Sequence, residues 1–97
     1  MVKEVNSVND ITDKVFLIKY GQEFCIPCEM TETNLKLLEE NYNIPFYTTK
    51  NVDESIDKGF TALPVIELHK NNEVITLNDN SVMMSEDALK GWLDNNA

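Results

Sequence analysis

Val15-Phe16-Leu17-Ile18-Lys19-Tyr20 is almost continuously apolar and rich in β-forming residues, the pattern of a central strand covered on both faces of a sheet. A different spacing follows it. After a turn at Gly21 to Phe24, the positions Cys28, Thr31, Leu35, Leu38 and Tyr42 recur at alternating steps of three and four, which predicts a helix over about Cys25 to Tyr42 with those residues facing inward. Glu32 and Lys36 fall on its wet side as an i,i+4 pair, and Asn43 with Ile44-Pro45 ends it. Cys25, in the first turn and off the inward stripe, is expected to be exposed at the helix N-terminus.

The remaining segments are shorter. Val2 to Val5 reads as a brief strand, and the polar stretch from Asn6 to Asp13 has room for one or two helical turns. Phe46 to Val52 predicts a second main strand, with at most one turn of helix over Glu54 to Lys58 before Gly59. Val65 to Lys70 and Glu73 to Leu77, joined at Asn71-Asn72, predict a β-hairpin. Met83-Met84 is expected to pack just ahead of a last helix, which Ser85 caps and which runs to about Asn95 with Leu89, Trp92 and Leu93 inward. A βαβ unit followed by ββα implies an α/β domain over residues 1–97, a mixed sheet flanked by helices on both faces.

Composition narrows the functional classes. Seventeen acidic and eight basic side chains give a formal charge of −9, which disfavours nucleic acid and anionic membrane surfaces as partners. No apolar run approaches the ~18–20 residues of a membrane helix, and Met1-Val2-Lys3-Glu4 lacks the apolar region of a secretory leader, so a cytoplasmic monomer is expected. In that compartment a Cys-x-x-Cys pair is catalytic or metal-binding more often than structural.

Cys25 and Cys28 are the only cysteines, one helical turn apart. Side chains at i and i+3 of a helix are neighbours, about 5–6 Å between Cβ atoms, so a small adjustment closes a disulfide. So small a ring removes little unfolded-chain entropy, about 2 kcal/mol against 4–5 for a ring of a hundred residues, and suits exchange better than stapling. Half of a zinc site is the competing reading, but only His69 and carboxylates could complete four ligands, and His69 on a strand beside Glu67 reads as a packing residue. No bound cofactor or metal is expected.

Phe24-Cys25-Ile26-Pro27-Cys28-Glu29-Met30 resembles the thioredoxin active-site segment, where Trp-Cys-Gly-Pro-Cys-Lys-Met is common. Gly59 to Val65 is similar to the family's loop ending in a cis-proline, Lys70-Asn71-Asn72-Glu73-Val74 to its hairpin, and Ala88 to Asn96 to its closing helix. Together they cover most of residues 14–97 in the family's order. The resemblance implies a thioredoxin fold and a thiol–disulfide oxidoreductase acting on protein disulfides through a redox-active Cys25–Cys28 pair, restored indirectly from NADPH by a thioredoxin reductase-like donor. Cys25, helped by the helix N-terminus, is then the nucleophile and Cys28 the resolving thiol. Pro27 starts the helix and limits the flexibility of the loop. Phe24, Ile26, Leu63 and Pro64 form the substrate-facing rim, with the Leu63 backbone free to pair with an extended partner.

Departures from the pattern concern tuning. The family's buried acid falls on Lys19, and its frequent lysine partner on Thr49. Lys19 either favours a nearby thiolate by its charge or buries only its stem and extends its ammonium to water. Glu29, in place of a common lysine, tends to raise thiol pKa. A glutathione-dependent, glutaredoxin-like reductase is the alternative, although Asn78-Asp79-Asn80-Ser81 lacks that family's glutathione-holding pattern. A further alternative is a binding module that acts through the apolar rim without chemistry.

Overall fold

The computed structural model describes residues 1–97. Five strands form one mixed sheet, β1 (Lys3–Glu4), β2 (Phe16–Tyr20), β3 (Phe46–Thr49), β4 (Val65–Lys70) and β5 (Glu73–Leu77), in the spatial order β1-β3-β2-β4-β5. β3 pairs parallel to both β1 and β2, whereas β4 runs antiparallel to β2 and β5. β2 is the middle strand, and all five of its residues are buried. Its alternation divides the interior in two. Leu17 joins Leu35, Leu38, Phe46, Ile66, Leu68, Leu89 and Leu93 in the larger core, while Phe16, Ile18 and Tyr20 meet Val65 in a smaller one on the opposite face.

Three helices lie over the larger core: α1 (Ile26–Leu38), α3 (Asn80–Met83) and α4 (Glu86–Asn96). The smaller core is closed by Val5, Val8, Ile11, Phe60 and Leu63, and α2 (Val52–Asp57) is tied to that side by Glu54, which accepts from the Ser7 hydroxyl and from the Val8 N–H. No helix is long and apolar enough to cross a membrane.

Several boundaries differ from the sequence expectation. The first helix stops at Leu38 and tightens into a 3-10 turn over Glu39–Asn41, so Tyr42 packs on the main core from beyond the helix. β3 ends at Thr49 and not at Val52, because Asn51 accepts the Glu54 N–H at 3.1 Å and begins α2 there, giving six helical residues where one turn was expected. α3 was not expected at all. Asp79 caps it through the Ser81 N–H, and it delivers Met83 into the core fully buried. The hairpin matches, with Asn71 and Asn72 at φ of 45° and 71°, as a tight turn requires. Ser85 caps α4 as expected, and Trp92 packs against the larger core.

The smaller core holds a charge. Glu67, on β4, is 6% exposed and accepts from the Tyr20 hydroxyl at 2.8 Å, with His69 Nε2 at 2.9 Å and Lys58 Nζ at 3.5 Å. His69 also stacks on Phe16, at 4.3 Å between ring centroids, which makes it the packing residue expected. Burial, then the Glu67 carboxylate, pushes the Tyr20 phenol far above its ordinary value, while burial and Asp94 push Tyr42 to about 12. In the unfolded chain both ionise near pH 10. Above that pH the native state binds more protons than the unfolded one, so stability falls as pH rises. The unfolding free energy from urea titrations should therefore decline between about pH 10 and pH 12, and Tyr20→Phe should flatten that decline.

Candidate active site

β2 delivers the chain to the site. It ends at Tyr20, which pairs with Val65 at the start of β4, so the Gly21–Cys25 turn and the Leu63-Pro64 peptide leave the sheet at the same end. The Leu63-Pro64 bond is cis and Pro64 is buried. Cys25 is the N-cap of α1 in extended conformation, Ile26 and Pro27 open the helix, and Cys28 follows in its first turn. Proline costs nothing at that position, since the first N–H groups of a helix have no internal acceptor.

Cys25 and Cys28 are joined as a disulfide with their Cα atoms 5.2 Å apart. The Cys28 N–H also donates to Cys25 Sγ at 3.2 Å. Cys25 is therefore not the exposed residue expected: it is 8% accessible, against 2% for Cys28. As a cap, its side chain folds back over the helix start and does not project from the first turn. Partial positive charge and an N–H both face that sulfur, the surroundings that favour a thiolate.

The rim is partly as expected. Phe24 is 100% and Ile26 69% exposed, and the two flank Cys25 in sequence. Phe24 holds φ at 55°, the left-handed region, which costs a non-glycine residue about 1–2 kcal/mol. Leu63 differs, since its side chain is half-buried against the smaller core and does not stand free in the rim. Hairpin register explains this: Leu63 precedes a strand whose Val65 belongs to that core.

Lys19 is 2% exposed and has not extended to water. Strand alternation turns it to the α1 side, where Nζ lies 2.9 Å from Glu32 Oε1 and 3.4 Å from the Cys28 carbonyl oxygen. Glu32 Oε1 also accepts from Thr48 Oγ1 at 3.2 Å, and its other oxygen is 3.4 Å from Lys36 Nζ. Burial alone would raise the Glu32 carboxyl, but Lys19 and Lys36 outweigh it and hold the group below the usual carboxylate range. The expected Glu32–Lys36 pair is thus the outer half of a larger arrangement. Its inner half was missed, though the pattern contained it: β2 alternation puts Lys19 beneath α1, and Glu32 follows Cys28 by one turn. Gly21 completes the contact. A Cβ there would stand 3.2 Å from Cys28 Cβ and 3.3 Å from Lys19 Nζ, tighter than ordinary contact, so the absence of a side chain lets both the ammonium and the second cysteine pack close to this backbone. Thr49, where the family's lysine would fall, is buried and accepts from the Asn51 N–H.

Lys19, Cys28 and Glu32 line one pocket of about 230 Å³, together with Glu23, Glu29 and Lys50. Lys50 is 3.7 Å from Glu23. No three His, Cys, Asp or Glu side chains converge as metal ligands, and His69 lies on the opposite face of the sheet, with Phe16 and Glu67. The arrangement joins two sulfurs at the start of α1, one accepting a helix N–H and the other on a residue whose carbonyl faces a buried cation.

No protein-family model matches the chain, and no curated protein matches it in sequence. Solved structures are similar throughout its length. Plasmodium falciparum thioredoxin is 23% identical, with all of both chains covered and a TM-score of 0.77. A single-site mutant of the thioredoxin from Halobacterium salinarum is 21% identical over 97% of this chain and 89% of that one, with a TM-score of 0.76. Oxidised mitochondrial thioredoxin 3 from Saccharomyces cerevisiae is 19% identical over 97% and 94%, with a TM-score of 0.72. The mixed five-stranded sheet, its helices on both faces and the cysteine pair at the start of α1 are thus set in a chain that has the thioredoxin fold.

Proposed function

We propose that the protein is a thiol–disulfide oxidoreductase that reduces protein disulfides through Cys25 and Cys28. The observation that carries this reading is the disulfide between the chain's only cysteines, with one sulfur in the cap position of α1 and receiving an N–H. In the reduced protein the Cys25 thiolate attacks one sulfur of a partner disulfide, forming a mixed disulfide and releasing the other partner sulfur, which takes a proton from water. Cys28 then loses its S–H proton to water, and its electron pair forms the bond to Cys25. The bond between Cys25 and the partner breaks, and the departing sulfur is protonated. Two electrons pass to the partner, and the protein ends as the disulfide.

Phe24 and Ile26 supply the apolar contact beside the sulfurs, and Leu63-Pro64, at the same end of the sheet, offers backbone to an extended partner segment. A module that only bound partners would have no use for two cysteines placed to join at the start of α1, which favours chemistry over docking alone. The donor proposed is a thioredoxin reductase-like enzyme drawing on NADPH, because the segment after the hairpin folds into α3 around an Asp79–Ser81 cap and shows no glutathione-holding pattern.

With insulin as the disulfide substrate and dithiothreitol as the reductant, Cys25→Ser should abolish turnover. Cys28→Ser should accumulate mixed disulfides, and mass spectrometry should place them on Cys25; adducts on Cys28 in the reciprocal variant would reverse the roles. In coupled assays that follow NADPH, the oxidised protein should be restored faster by a thioredoxin reductase than by glutathione with its own reductase at matched supply. Faster turnover with glutathione would assign it to the glutaredoxin-like alternative.

A further inference from the structure

Among the lysines in ion pairs, Lys19 alone is withdrawn from water: it is 2% exposed, whereas Lys36, Lys50, Lys58 and Lys90 remain between 30% and 58% exposed. A lone ammonium is costly to bury, and two groups from different elements are placed to hold this one. Glu32 reaches in from α1 and Thr48 from β3, the latter fixing the carboxylate oxygen that faces Lys19. The held ammonium also lies 3.4 Å from the Cys28 carbonyl oxygen, and it and Cys28 Cβ both pack close against Gly21.

We propose that Glu32 is a positioning residue for the cysteine pair: it pins the Lys19 ammonium behind Cys28 and offsets part of its charge, so that the pair sets how readily the reduced cysteines lose a proton. This rests on the reading of Cys25 and Cys28 as an exchanging dithiol.

The physical sense is fixed by sign. A cation near a thiol favours the thiolate, and an anion opposes it. Lys19 on β2 acts in the first sense and Glu32 on α1 in the second. The other charged groups lining the same pocket divide between Glu29 on α1, Glu23 before it, and Lys50 after β3, the last two paired with each other. Lys36 compensates the outer oxygen of Glu32 from the solvent side. Removing Glu32's charge leaves the buried Lys19 ammonium without its paired anion, and a thiolate at Cys28, whose carbonyl Lys19 already meets, is then favoured by the uncompensated cation. Removing Lys19 does the reverse.

The test is an acid–base titration of the reduced, full-length protein, following thiolate absorbance in the ultraviolet, which needs no substrate and reads the thiols even if no reductase activity is found. Glu32→Gln should lower a thiol midpoint by about one pH unit, a tenfold gain in thiolate below that midpoint. Lys19→Met should raise it by a similar amount, and the double variant should return it close to the parent value. In a glutathione redox buffer, Glu32→Gln should correspondingly shift the dithiol–disulfide equilibrium toward the dithiol. An unmoved midpoint in Glu32→Gln, both single changes shifting it in the same direction, or a double variant that fails to compensate would each overturn the proposal. Should Lys19→Met not fold, Glu32→Gln carries the test alone, because glutamine keeps the shape of glutamate and one acceptor oxygen for Lys19 and Thr48 while losing the charge.

Discussion

A strand buried on both faces must send alternate side chains into two different interiors, and β2 imposes that division on the rest of the molecule. Phe16, Ile18 and Tyr20 take one side, and Leu17 and Lys19 take the other. The parallel neighbour β3 and the antiparallel neighbour β4 hold this register by backbone hydrogen bonds, and a slip of one residue would exchange the two sets completely. The same strand then hands the chain directly to the turn before Cys25. The position of the cysteines and the identity of the side chain beneath them are therefore set by one register.

Each interior reached by β2 contains an ionic group, and the two are opposite in kind. On the α1 side the buried charge is the cation Lys19, answered by Glu32; on the other it is the anion Glu67, answered by the Tyr20 hydroxyl, Lys58 and His69. Buried pairs of this sort add little net stability compared with apolar side chains of the same volume, but breaking one by removing a single partner is expensive. They act as register pins. A displaced β2 would take the Lys19 ammonium away from Glu32 and the Tyr20 hydroxyl away from Glu67.

Sequence pattern revealed most of the architecture because the main elements are periodic or sharply punctuated. The apolar run of β2, the start of α1 and its inward stripe through Leu38, the Asn71-Asn72 hairpin and the Ser85 cap all appear where expected. The elements misplaced are those set by one polar side chain. Asn51 ends β3 early by capping α2, and Asp79 builds α3 from a segment with no apolar rhythm. At the site, Cys25, Cys28, Pro27 and the exposed Phe24 and Ile26 could be read from spacing and resemblance, whereas the accessibility of Cys25 could not, because it depends on a cap rotamer. Lys19 was identified but its state was left open, since a lone lysine on a strand does not reveal its partner. That partner sits thirteen residues away on another element and shows outwardly only as half of an ordinary helix-surface pair.

Trp92 gives the placement of aromatic side chains a practical consequence. The chain's single indole sits on α4 against the larger core, whose members include neither cysteine, and the residue beside the disulfide is a phenylalanine open to solvent. Tryptophan emission is therefore placed to report whether the α4 face is packed, and no indole adjoins the sulfurs in sequence. Folding can be followed by the native indole, and the state of the cysteines by a separate probe of the thiols.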